Sequence, residues 1–121
     1  MTPDPMRVED YLRHILEAIE RIQRYTKDLQ EEAFSANVLV QDAVIRNLEV
    51  IGEASKNAAL HGKDRAEISD KIPLLRDVYL MRNRLAHGYF SIALPVVWST
   101  IQKDLPALRQ EIREMYDRLT K

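Results

Sequence analysis

Cysteine is absent from these 121 residues, which removes disulfides and thiolate metal sites together. The three histidines, His14, His61 and His87, lack the i, i+4 spacing that sets two imidazoles on one helical face. No metal and no other cofactor is therefore expected. Glycine is nearly as scarce, with three residues beside five prolines, and so few turn formers leave little room for hairpins. Nowhere does the chain approach the run of about 18 apolar residues that spans a bilayer. The opening Met1-Thr2-Pro3-Asp4-Pro5 has none of the features of a signal peptide, so a cytoplasmic location, away from membranes, is expected. A dominant charge is missing too: 18 Lys and Arg face 19 Asp and Glu, for a net charge of −1. Such a protein does not coat nucleic acid nonspecifically, and any binding of that kind must rest on a local basic patch.

What is present is a chain of ordinary helical composition, 45% hydrophobic and 31% charged. Its length suits one domain over residues 1–121, with a surface share large enough to favour oligomerisation. The expectation is an all-α, up-and-down bundle of about four main helices plus a short one, assembled as a homodimer.

The apolar positions Val8, Leu12, Ile15, Ile19, Ile22 and Leu29 recur at spacings of three, four or seven, predicting a helix over 8–29 with one buried stripe. His14 falls at the polar edge of that stripe, where no duty is evident, and Tyr11 and Tyr25 read as packing residues. Residues 31–35 read as a connection, with Ser35 or Asn37 capping the next helix. That helix, over 37–59, is apolar around most of its circumference, through Val38, Leu39, Ala43, Val44, Ile45, Leu48, Val50, Ile51 and Ala54. It should be central, and Gly52 would let a neighbour approach closely.

A charged stripe crosses it: Asp42, Arg46, Glu49, Glu53 and Lys56. Either this is a solvated strip knitted by pairs such as Asp42 with Arg46 and Glu49 with Lys56, or Arg46, Glu49 and Glu53 line a cleft and hold catalytic groups in place. Leu60-His61-Gly62 closes the helix, with His61 read as a surface cap residue, and Asp64-Arg65-Ala66-Glu67 reads as a capping box. Pro73 suits the first position of the following helix, whose buried stripe is Leu74, Val78, Met81 and Leu85. A last helix begins near 92–95. Leu94, Trp98, Ile101, Leu105, Leu108, Ile112, Met115 and Leu119 alternate by four and three, and Pro106 predicts a bend at 103–105.

The chemistry gathers in Met81-Arg82-Asn83-Arg84-Leu85-Ala86-His87-Gly88-Tyr89-Phe90. Two guanidiniums offer planar forks that match phosphate oxygens. His87 carries an imidazole, which ordinarily titrates at about 6.5 and can act as acid or base near neutrality. Asn83 and His87, four apart, would share a helical face. Arg82 and His87, five apart, would lie about 140° apart on a regular helix, so they converge only if the helix loosens near Gly88 or a second chain completes the site. A blander reading makes the arginines solvated and His87 a helix cap.

Arg82, His87 and Tyr89 stand as Arg-x-x-x-x-His-x-Tyr, which resembles the signature of the HEPN superfamily in its HepT-like branch. The similarity extends to the stretch from Asp42 to Ala54 and to Val97-Trp98-Ser99-Thr100-Ile101 with Asp104-Leu105-Pro106. The resemblance implies a homodimeric, metal-independent ribonuclease toxin that acts on RNA. Its expected partner is an MntA-like nucleotidyltransferase antitoxin able to adenylate the motif tyrosine. By that resemblance Arg82 and His87 are catalytic, Asn83 and Arg84 support them, and Tyr89 is the modification site. Ala93 and Pro95 stand where acidic residues would be expected after the motif. The competing expectation is a non-catalytic helical dimer that docks the nucleotidyltransferase; a purely structural adaptor would leave the Arg, Asn and His cluster unexplained.

Overall fold

A carboxylate at the start of the first apolar stripe begins the fold. Asp10 Oδ2 accepts the Arg7 backbone N–H at 3.0 Å, satisfying one of the donors that a helix N-terminus leaves unpaired, and α1 runs Val8–Thr26. The computed structural model describes residues 7–85 and 93–121. In α1, Leu12, Ile15, Ala18, Ile19 and Ile22 are fully buried. The helix ends three residues short of Leu29, because the Thr26 hydroxyl turns back to donate to the Ile22 carbonyl at 2.8 Å and the Leu29 N–H closes a turn onto Thr26.

The expected connection at 31–35 is itself a helix, α2 (Glu31–Ser35). Two glutamates in its first turn complement the helix dipole, and Phe34, with no exposed surface, pins it to the core. Asn37 then caps α3 (Val38–Gly62), its side chain accepting the Val40 N–H at 3.1 Å. This 25-residue helix is the centre of the bundle, packed on α1 and, elsewhere on its surface, on α4. Its first turn departs from expectation: Val38 and Leu39 are 66% and 80% exposed. Asn47, buried in the α1–α3 seam, accepts from Arg21 Nε at 2.8 Å and donates to the Ala43 carbonyl at 2.8 Å. That clasp satisfies both ends of an amide that burial would otherwise penalise.

A 3₁₀ turn, Ala66–Lys71, follows. The capping box expected from Asp64 does not form: Arg65 is the N-cap, without a side-chain cap bond, and its guanidinium reaches Glu9 at 3.3 Å and Glu67 at 3.5 Å. Helix α4 spans Ile72–Leu85 with Pro73 as its second residue. Its buried line is Ile72, Leu75, Val78 and Leu85, and the expected Leu74 and Met81 lie half-buried beside it.

The last expected helix is divided into α5 (Leu94–Ser99), a π-helical stretch Thr100–Asp104, and α6 (Leu105–Thr120). Pro106 explains the division, since it has no N–H and its ring crowds the carbonyl four residues back. The widened turn accommodates it: the Leu105 N–H bonds Thr100, five residues back. Leu105, Leu108, Ile112 and Met115 remain buried, with α6 packed on α1. Trp98 is half-buried against Phe34, ring centres 5.3 Å apart. The architecture is an all-α bundle of four longer helices, α1, α3, α4 and α6, with no strand among the described residues. None of the helices described is long and apolar enough to cross a membrane.

Candidate functional site

Arg82 is seated where α4 crosses α3 most closely. A Cβ built on Gly52 would meet Arg82 Cγ at 2.7 Å and Cβ at 2.8 Å, so the arginine stem occupies the space that glycine leaves. Its Nη1 donates to Asn83 Oδ1 at 2.8 Å. Its Nε is buried without a hydrogen bond among the described residues. The guanidinium is thus held along its stem and at one nitrogen, an arrangement suited to presenting a fixed fork rather than a wandering charge.

Around this fork lies an open cavity of about 350 Å³, at the small end of ligand-sized pockets. Helix α4 contributes Arg82, and α3 contributes Arg46, Glu49, Val50, Glu53, Ala54 and Asn57. The remaining wall is α1, with Tyr11 and His14. The charged stripe of α3 therefore meets a cavity through three of its members. Arg46 pairs with Glu49 at 3.6 Å, and the expected pairing with Asp42 is not formed. Lys56 does not pair with Glu49; its ammonium lies over the Tyr79 ring, 5.4 Å from the centroid. Two cations and two carboxylates share the cavity, so its basic character among the described residues comes from the Arg46 and Arg82 heads. Among the described residues no group of three His, Asp or Glu side chains is placed to hold a metal ion.

His87, Tyr89 and the Arg84 side chain lie outside the described residues, as does the expected sharing of a face by Asn83 and His87. Tyr11, His14 and Asn57 were missed as wall residues by the reading of the sequence. The available signal was that Tyr11 and His14, three apart, flank the buried stripe of α1 on one side. Tyr11 also stacks on His61, centroids 5.5 Å apart and planes 15° off parallel, so His61 is more than the surface cap residue it was expected to be.

The family model described as Ribonuclease HepT-like matches residues 15–115. The chain belongs to the HepT-like family. Similar proteins include one from Thermococcus cleftensis named "Probable ribonuclease HepT", 39% identical over 88% of this chain and 94% of its own. A provisionally named RNase from Caldanaerobacter subterraneus subsp. tengcongensis is 34% identical over 94% of both chains. A Methanocaldococcus jannaschii protein, named as a gamma-glutamylcyclotransferase and provisionally as an RNase, is 40% identical over 94% of this chain. The HepT-like chain spans half the length of that last relative. No solved structure matches. The matched span takes in the α3 and α4 residues of the cavity and the Arg82 to Tyr89 motif, whereas Tyr11 and His14 precede it.

Proposed function

We propose that this HepT-like chain is a metal-independent endoribonuclease and the toxin of a toxin–antitoxin pair, with Arg82 and His87 as its catalytic residues. The observation that carries the proposal is the seating of Arg82 over Gly52 at the wall of an open, partly cationic cavity, on the helix that leads into the Arg-x-x-x-x-His-x-Tyr motif. Family membership and the names of the relatives support the reaction class.

Cleavage of RNA at a phosphodiester needs no outside reagent. The ribose 2′-oxygen attacks phosphorus as a base removes its proton, the bond from phosphorus to the 5′-oxygen breaks, and that oxygen takes up a proton. The products are a 2′,3′-cyclic phosphate and a 5′-hydroxyl. His87 serves as acid or base, and Arg82 stabilises charge on the pentavalent phosphate. Asn83 holds the Arg82 fork, Arg84 adds positive charge, and Arg46, Glu49 and Glu53 form the facing wall. In a homodimer the site would lie in a cleft between two copies.

Tyr89 is the site of control in this reading. In the transfer of adenylate from ATP by an MntA-like nucleotidyltransferase, the phenol oxygen bonds the α-phosphorus as it loses its proton and pyrophosphate leaves, which adds a negative charge and a bulky nucleoside two residues from His87 and opposes RNA binding. Incubation with a cognate nucleotidyltransferase, ATP and Mg²⁺ should add one adenylyl mass to the peptide bearing Tyr89, and an unmodified tyrosine contradicts this control.

The second reading, a helical dimer that only docks the nucleotidyltransferase, draws on the exposed Val38, Leu39 and Val96 side chains. Expression without the partner separates the two. A toxin arrests growth and His87→Ala relieves the arrest; a docking protein leaves growth unchanged in both forms.

A further inference from the structure

We infer that His14 is a further catalytic residue of this same site, donating the proton taken up by the departing 5′-oxygen. The inference rests on the nuclease reading. RNA cleavage without a metal requires two proton transfers, one from the attacking 2′-hydroxyl and one to the leaving 5′-oxygen. The Arg-x-x-x-x-His-x-Tyr motif brings one imidazole per chain, which left the second transfer to another copy of the protein.

The cavity lined by Arg82 contains an imidazole of its own. His14, half-buried on α1, lines it together with Arg82 of α4 and Arg46, Glu49 and Glu53 of α3. It is the one imidazole among the described residues that line this wall, and histidine is the side chain that most often passes a proton to or from a reacting oxygen. Glu49 and Glu53 line the same cavity beside the Arg46 and Arg82 cations, so an imidazolium at this position has anionic neighbours as well as cationic ones. Arg82 would hold the phosphate while His14 meets the oxygen that leaves it. The P–O5′ bond breaks, its electron pair stays on the 5′-oxygen, and the His14 proton neutralises that oxygen; the imidazole regains a proton from solvent.

A substrate that does not need this proton tests the role. An RNA oligonucleotide with sulfur in place of the bridging 5′-oxygen at one position departs as a thiolate, unaided. His14→Gln and His14→Asn, each checked for an unchanged melting temperature, should cleave ordinary RNA about 100-fold more slowly than the unaltered protein. Both should cleave the 5′-thio linkage at close to the unaltered rate, while Arg82→Ala is slow on both. Unchanged cleavage of ordinary RNA by either variant overturns the role, and so does an equal loss on both substrates, which marks a binding or packing residue. An unaltered protein that leaves both substrates intact overturns the nuclease reading itself, and this role with it.

Discussion

A methyl group at position 52 would lie 2.7 Å from Arg82 Cγ and 2.8 Å from its Cβ. The Cβ is fixed to the α4 backbone, so relief requires α4 to shift or the arginine to leave its seat. Gly52→Ala should lower RNA cleavage at least 10-fold, on the scale of misplaced catalytic groups. Overpacking of this kind destabilises by about 1–3 kcal/mol. Steady-state cleavage beside a urea titration checks both, and a stable, fully active Gly52→Ala protein contradicts the seating. Adding Gly52→Ala to Arg82→Ala should cause no further loss of activity. Gly52 was legible in the sequence as a point of close approach; its occupant was not, because which side chain arrives there depends on how two helices cross. His14 was legible only as a polar residue beside a buried stripe, a description that fits many solvated histidines.

Among the elements, α2 shows where periodicity stops being informative. Five residues complete too little of a helical repeat to display a stripe, and a short helix owes its stability to packing rather than to propensity. Phe34 provides that packing through Trp98. Phe34→Ala should destabilise the protein by about 3–5 kcal/mol and shift Trp98 fluorescence to the red. A loss under 1 kcal/mol with an unshifted spectrum contradicts the anchoring of α2. The break ahead of α6 was readable from Pro106, whereas its form, a π-helical turn, depended on what α5 and α6 each had to pack against.

At the start of α1, the Arg7 backbone N–H holds the Asp10 carboxyl below its ordinary range. A carboxyl lowered on folding contributes stability above its unfolded value, about 3.9. That contribution disappears as pH falls through the folded value. Asp10→Asn should therefore lower the urea midpoint at pH 7 and converge with the unaltered protein well below pH 4. Lys71 works in the opposite sense. Its hydrogen bond to Glu111 at 2.6 Å raises the ammonium above its ordinary range, so the contribution is complete at neutral pH and lost only as pH rises through that raised value.

For the whole molecule, the all-α class and the positions of α1, α3, α4 and α6 followed from scarce turn residues and apolar periods of three and four. The cavity did not, because it draws walls from three helices far apart in sequence, and a one-dimensional pattern carries no crossing angles. The stripe on α3 could be read as solvated or as lining a cleft. Three of its members, Arg46, Glu49 and Glu53, open onto the cavity with Arg82, while Lys56 lies over Tyr79. A net charge of −1 also shapes the expected binding. With few phosphate contacts, affinity for RNA should fall only shallowly with salt, unlike that of a protein with a broad basic face.

The most direct measurement is cleavage of a single-stranded RNA by the purified protein with EDTA in excess, beside Arg82→Ala. Cleavage by the unaltered protein that leaves 2′,3′-cyclic phosphate ends, falling about 100-fold or more in Arg82→Ala, is the expected result. Cleavage that stops with EDTA, or that persists undiminished in a folded Arg82→Ala protein, contradicts it.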